Sequence, residues 1–356
     1  MRIAIAGAGI CGAYLYRRLT DMGYCPDIYD TGGMNPKPGC GIASCAWLAP
    51  NPEIFNHIKK AGLIGYDYIL EPITRMIFAG VELKVHMVTI DKPKLIRDLI
   101  RGDVVRGGVI DKSQYDLIVD ATGTARAYLG RTTPGPNDII GDGIQFRIAV
   151  KNYPGGTAHI IPVKGGYLWV FPLSNNQVHA GIATHTPQKY KFIDIVDRIE
   201  SIVGEILEPE YLKSLKCTCR SKVRITGLLP PFYTCGTFAV NNPDIRTPSV
   251  YGVGEAIGVV SPLTGEGIVP GLQSCDIFLD RLKSSTLNLY SDDINSTFTW
   301  IYHERAVLDY VRKNGKVGAW FLLVLRRMLK RCHCKAPVWS LLKIARKMKS
   351  RGNHVN

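Results

Sequence analysis

No apolar run in this chain approaches the roughly 20 residues that a helix needs to cross a bilayer. The longest late stretch, Val317 to Leu325, has nine. A membrane-spanning helix is therefore not expected. Nor is a secretory leader, although Met1-Arg2 precedes an apolar run. That run is punctuated by glycine, ends in Arg17-Arg18 and lacks a small-residue cleavage site. The expectation is a reducing cytosol, in which the ten cysteines stay as thiols. Zinc spacing is missing as well. Cys217-Thr218-Cys219 and Cys332-His333-Cys334 are Cys-x-Cys pairs without partner pairs, so free thiols are preferred over a metal site. The eight histidines form no cluster, and neither a repeat nor a low-complexity stretch occurs, which excludes solenoids and disordered linkers. Acidic residues are scarce at one end only. Residues 301–356 hold 14 Lys/Arg against Glu304 and Asp309, so this segment carries +12 of the net +14.

What is present begins with glycine. Gly7-Ala8-Gly9-Ile10-Cys11-Gly12 follows the apolar strand pattern Arg2 to Ala6 and precedes a helical pattern, Ala13 to Leu19. A second short strand, Asp27 to Asp30, ends in an acid eighteen residues after Gly12. This is the strand, turn, helix, strand and acid context of a dinucleotide site. Gly7 makes the tight turn, Gly9 admits the pyrophosphate, Gly12 lets helix and strand approach, and Asp30 holds the adenosine ribose. A second cluster lies far along the chain. Val250 to Gly258 reads Val-Tyr-Gly-Val-Gly-Glu-Ala-Ile-Gly, and Ser261-Pro262-Leu263-Thr264-Gly265-Glu266-Gly267-Ile268 follows. It reads as a strand end and turn lying against a ligand. Glu255 can take a ribitol or ribose hydroxyl, Gly254 and Gly267 let backbone amides approach a phosphate, and a helix starting near Ile268 aims its amide end there. The two clusters together turn a general nucleotide reading into FAD.

Between them, residues 32–50 read as a loop, residues 91–100 as a helix, and Tyr115 to Gly123 as a buried strand whose Ala-Thr-Gly end abuts a bound dinucleotide. From about Gly141 to Lys222 the pattern alternates, as in Ile144 to Val150, Thr157 to Ile161, Gly166 to Phe171 and Val178 to Thr184, and an antiparallel sheet is expected. Residues 190–215 read as helical. The expected architecture is α/β: a discontinuous Rossmann-type FAD-binding domain (1–140 and 223–285), an inserted antiparallel-sheet substrate domain (141–222) and a helical, basic C-terminal region (286–356).

The order of fingerprint, Cys-Gly loop, Ala-Thr-Gly strand, aromatic strand and Gly-Glu-Ala strand resembles the geranylgeranyl reductase family of FAD-dependent oxidoreductases, which share the fold of p-hydroxybenzoate hydroxylase. The resemblance covers roughly residues 1–280. Its most specific element is Tyr167-Leu168-Trp169-Val170-Phe171-Pro172, similar to the family's Pro-x-x-Tyr-x-Trp-x-Phe-Pro. Here Pro162 stands five residues before the tyrosine instead of three. Gly254 to Gly258 resembles the family's Gly-Asp-Ala-Ala-Gly with glutamate for aspartate, and Pro262 to Ile268 matches Pro-x-x-Gly-x-Gly-Ile throughout. Cys40-Gly41 fits a cysteine–glycine loop near the isoalloxazine. Lys92 stands where the family holds FAD with arginine, and lysine lacks the bidentate fork.

The resemblance implies hydride delivery from reduced FAD to an isoprenoid double bond, with an apolar cavity walled by Tyr167, Trp169, Phe171 and Pro172. Tyr167, Trp169 and Phe171 share one face of their strand; an ordinary aromatic sheet core is the alternative. Cys40 is the candidate proton donor by position, with a buried thiol or a plain FAD contact as alternatives. Implied partners are an isoprenoid lipid and an electron donor, either NAD(P)H or a carrier such as ferredoxin. The basic C-terminal segment, with Trp320 and Trp339, suits an anionic membrane surface, so a cytoplasmic, peripherally attached protein is expected. A solvated terminal helix is the second reading, and nucleic acid, without a recognised module, the third. A flavin monooxygenase or quinone-chain reductase of the same fold, and a non-catalytic flavoprotein, are the rival functions.

Overall fold

A computed structural model describes residues 1–30, 48–101, 107–130, 138–151, 153, 155–174, 176–185, 192–204, 218–225, 227–229, 232–233, 248–314 and 319–352. The chain opens with β1 (Ile3–Ala6), α1 (Ile10–Asp21), β2 (Asp27–Tyr29), β3 (Leu48–Pro50), α2 (Asn51–Lys60), β4 (Ile69–Phe78), β5 (Val81–Ile90) and α3 (Lys92–Ile100). It continues through β6 (Leu117–Asp120), β7 (Ile139–Ala149), β8 (Thr157–Val163), β9 (Gly166–Leu173), β10 (Gln177–Thr184), α4 (Phe192–Val203) and β11 (Thr218–Ile225). Next are β12 (Phe232–Tyr233), β13 (Ser249–Gly252), α5 (Ile268–Lys283), α6 (Tyr290–Thr297), α7 (Thr299–Asn314), α8 (Ala319–Arg331) and α9 (Val338–Gly352).

The first sheet has the order β12-β13-β6-β1-β2, parallel except for β12. Every residue of β1 and β6 is buried, as unbroken apolar runs require when helices cover both faces of a parallel sheet. α1 packs on α3 and α5, and the core between them holds Ile5, Leu15, Ile118, Phe278 and Tyr290. One carboxylate ties this layer together. Asp276 on α5 accepts from Tyr14 at 2.7 Å, Arg18 at 3.1 Å and Lys60 at 2.6 Å, and His57 lies 3.1 Å away. Burial alone would raise its pKa, but the hydrogen bonds from His57, Lys60 and Tyr14 prevail and depress it. Asp276→Asn is expected to lose about 2–4 kcal/mol. Because the folded pKa is depressed, the wild-type advantage is complete above about pH 4, the unfolded value, and shrinks as pH falls below it. Urea unfolding of both proteins across pH 3–7 checks this.

The second sheet runs β11-β7-β10-β9-β8-β4-β5-β3, and most of its pairs are antiparallel, β4 with β8 being parallel. It includes β3 to β5, residues that the sequence boundaries assign to the nucleotide unit, and β11 extends to Ile225, past the expected end at 222. The expected antiparallel insert is thus part of a larger sheet. Its two faces divide by strand alternation. Leu168 and Val170 meet α4 through Ile199 and Val203, whereas Trp169 and Phe171 join Ile73, Leu83, Met87 and the C-terminal helices. Those helices pack on the sheet. Phe321, Val324, Leu325, Met328 and Leu329 of α8 and Leu341 and Ile344 of α9 are buried against that aromatic face.

Candidate functional site

The glycine fingerprint closes on the ends of three parallel strands. A Cβ on Gly7 (φ +98°) would stand 2.5 Å from the carbonyl oxygen of Ala121, just past β6, and one on Gly12 would stand 1.8 Å from that of Gly7. A Cβ on Gly254 or Gly271 would lie 2.7 Å from Sγ of Cys11 in each case. The N-terminal motif therefore meets the Ala-Thr-Gly turn backbone to backbone and the Gly-Glu-Ala turn through the Cys11 side chain. Gly9 differs: a Cβ there would have nothing within 4 Å. It is the N-cap of α1, with no side-chain cap and no acid in the first turn. Gly267 stands in the same relation to α5, whose first residue is Ile268. Two helix N-termini thus keep their amides free of side-chain caps, a combination suited to an anion.

Acids flank this cradle. Asp30 is half-buried directly after β2, next to Tyr29, whose carbonyl accepts from the amide of Gly7 at 2.6 Å. Glu255 accepts from Thr124 at 3.2 Å, and a Cβ on Gly123 (φ +60°) would lie 3.5 Å from its carboxylate. Both acids sit beside turns that lack bulk, as hydroxyl-binding carboxylates would.

The aromatic strand adjoins the second glycine loop. Tyr167 donates to the carbonyl of Thr264, inside the Pro262 to Ile268 motif. Burial pushes the Tyr167 phenol up to about 12, so it remains a donor. The Trp169 ring centroid is 5.9 Å from that of Tyr167 and 6.5 Å from that of Phe171. Its indole is seated over Gly181, where a Cβ would stand 2.5 Å from the ring. Trp169 Nε1 donates to Nδ1 of His179 at 3.2 Å. Burial first, then the charges of Lys92 and Arg147, bring His179 down to about 3, so it is a neutral imidazole at this wall. Lys92, buried at the start of α3, thus lies near the aromatic wall. Pro172, named with the wall residues from the sequence, falls by alternation on the opposite face, and its carbonyl accepts from Thr89 at 2.9 Å. Cys40 and Gly41 lie outside the described residues. Among the described residues no group of three or more His, Cys, Asp or Glu is placed to hold a metal.

No family model matches the sequence. An uncharacterized protein of Methanocaldococcus jannaschii is 26% identical over 353 residues, covering 86% of this chain and 90% of its own. Among solved structures, a geranylgeranyl bacteriochlorophyll reductase-like protein of Thermoplasma acidophilum superposes with a TM-score of 0.66 at 14% identity, over 96% of this chain and 95% of its own. HpxO of Klebsiella pneumoniae, crystallised with FAD and uric acid, gives 0.61 at 14% identity over 98% and 93%. BrvH, a flavin-dependent halogenase from Brevundimonas, gives 0.59 at 10% over 98% and 89%. The fold is that of the FAD-binding flavoproteins.

Within this flavoprotein fold several residues join the site that the sequence motifs did not mark. Arg126 is buried and donates to the carbonyl of Ala256 at 2.6 Å, binding the Ala-Thr-Gly turn to the Gly-Glu-Ala turn. Ser274 accepts from the amide of Gly254 at 2.8 Å and donates to the carbonyl of Gly271 at 2.6 Å. Glu304 of α7 is buried, accepts from Ser261 at 2.5 Å, and pairs with Arg331 of α8 at 2.8 Å. Cys332 donates to Glu266 at 3.3 Å, and burial is the main cause that raises the Glu266 carboxyl. The C-terminal helices therefore support the second glycine loop from behind. Glu304, one of two acids in a cationic segment, is the signal from which sequence could have hinted at this.

Proposed function

We propose that this protein binds FAD and saturates the double bonds of an isoprenoid lipid. The residues fit the cofactor. Gly7 and Gly12 set the strand–helix approach, open space over Gly9 and the uncapped starts of α1 and α5 suit the pyrophosphate, and Asp30 and Glu255 stand where hydroxyls would be met. When bound and reduced, FAD supplies a hydride, and a proton completes the saturation.

The observation that carries the substrate class is the wall of Tyr167, Trp169 and Phe171, fixed to the glycine loop by the Tyr167–Thr264 bond. The same face packs on Met87, Phe321, Val324 and Met328. Such a wall recognises an extended hydrocarbon and excludes water, and the neutral His179 adds no charge to repel it. The resemblance to geranylgeranyl reductases agrees with this chemistry, and Cys40 is assigned as proton donor on that resemblance. Electrons would come from NAD(P)H acting directly at the flavin or from a protein carrier such as ferredoxin.

The test is anaerobic. The purified protein is reduced with dithionite and mixed with a geranylgeranylated glycerophospholipid. Flavin reoxidation, with a lipid mass gain of about two units per saturated bond, is the expected result. Reoxidation by oxygen alone would favour a monooxygenase, and a preparation unable to take up FAD would remove the enzymatic reading.

A further inference from the structure

The C-terminal helices have two faces, and the inner one packs on the sheet. On the outer side Trp320 is 45% exposed, Leu323 48%, Val338 61%, Trp339 64% and Leu342 42%. These are large apolar side chains on helices whose opposite faces are already buried, so core packing does not account for them. Around them Arg326, Arg327, Lys330, Lys335, Lys343 and Arg346 are exposed. No Asp or Glu occurs anywhere from residue 310 to residue 356.

The two helices pack on each other and bury their inner residues in one core, so both outer stripes face away from the same core. α9 is held in place: Lys347 donates to the carbonyl of Gly80 at 3.0 Å, and the Lys335 amide donates to that of Lys84 at 2.9 Å. The surface is thus preformed.

We propose that the outer face of α8 and α9 docks on an anionic lipid bilayer, with the tryptophans and leucines entering the headgroup boundary and the surrounding cations meeting lipid phosphates. Charge selects this occupant. A second copy of the chain would oppose cations to cations, and nucleic acid has no hydrocarbon layer for Leu323, Val338 and Leu342. Among the described residues no helix is long and apolar enough to span, so the pair lies on the surface. The same α8 that would touch lipid outward packs inward on the cluster containing Trp169 and Phe171, about one helix diameter, ~10 Å, away. The purpose of the face, delivery of substrate from the membrane, rests on the lipid-reductase reading. Its contact with lipid does not.

The full-length protein is sedimented with phosphatidylcholine vesicles with and without phosphatidylglycerol. Binding to the anionic vesicles is expected to be at least about tenfold tighter and to weaken with salt. Two surface variants are compared, Trp320→Ser/Trp339→Ser/Leu342→Ser and Arg326→Glu/Arg327→Glu/Lys343→Glu. Both are expected to keep the wild-type melting temperature and lose vesicle binding, by about fivefold or more per cation replaced at low salt. They should turn over substrate in detergent micelles at the wild-type rate but fail on vesicle-embedded substrate. Wild-type protein left in the supernatant, variants that bind vesicles as tightly as wild type, or retention of RNA in place of vesicles would each overturn the proposal. Vesicle binding that follows the variants without turnover in either format would sustain the face and refute the reductase reading.

Discussion

Gly12→Ala is expected to abolish FAD retention and destabilise the fold, whereas Gly9→Ala abolishes retention alone. The two glycines are three residues apart, but their surroundings differ. An added Cβ at residue 12 would lie 1.8 Å from the carbonyl oxygen of Gly7 and 3.4 Å from Ile5 Cγ2. The first neighbour is backbone in a turn already constrained by the Ala121 carbonyl, so no rotamer can relieve the clash. α1 would have to move off β1, carrying its N-terminal amides away from the phosphate position and opening the core around Leu15. Overpacking of this kind costs about 1–3 kcal/mol or more. At residue 9 the added methyl meets nothing, and the backbone is extended (φ −70°, ψ −174°), so apoprotein stability should stay within about 0.5 kcal/mol of wild type. That same open space is where the pyrophosphate would approach, and a methyl there should weaken FAD binding by at least about 100-fold, near 2.7 kcal/mol. Thermal unfolding of the apoproteins, paired with flavin-fluorescence titration, separates the two effects. Wild-type FAD affinity in Gly9→Ala would show that the cradle holds something else.

The contrast explains why so much of this site was legible. A glycine required by backbone approach is an absolute demand made locally, so Gly7 and Gly12 with the following helix identify the turn from sequence alone. The alternation of Tyr167, Trp169 and Phe171 likewise marks a shared face, since strand period is a local property. What escaped depends on pairing at a distance. Residues 69–90 went unread in the sequence, and the sheet that β4 and β5 join is a matter of distant pairing, β4 lying beside β8. The C-terminal segment is helical and basic as expected, but its packing partner was hidden for a related reason. Its thirteen-residue helix α8 mixes buried Phe321, Val324, Leu325, Met328 and Leu329 with surface cations, and the charge dominates composition while the apolar stripe determines its position. Ser261, Glu304 and Arg331 have no motif because their relationship exists only after folding; Ser261 and Glu304 are 43 positions apart.

Those three residues carry the last prediction. From α8 inward, Arg331 pairs with Glu304 at 2.8 Å, Glu304 accepts from Ser261 at 2.5 Å, Ser261 Oγ accepts from the Thr264 amide at 3.1 Å, and the Thr264 carbonyl accepts from Tyr167. The chain of bonds runs from the C-terminal helices through the glycine loop to the aromatic wall. Its weakest point is electrostatic. Glu304 is 2% exposed and Arg331 is the cation paired with it, so Arg331→Met leaves a buried carboxylate uncompensated, at a cost of about 3–5 kcal/mol. The loop should then lose its support, and FAD affinity should fall by about 10–100-fold. Glu304→Gln/Arg331→Met removes both charges while leaving an acceptor for Ser261, and most of the stability and flavin affinity should return. A coupling of about 2 kcal/mol or more in the double-mutant cycle would assign the effect to the ion pair. The guanidinium also sits 3.6 Å from the Trp300 ring centroid. If the double variant is as impaired as Arg331→Met, that stacking supports the loop and the carboxylate is incidental. Either way the basic segment backs the glycine loop, α7 through Glu304 on Ser261 and α8 through Arg331 on Glu304.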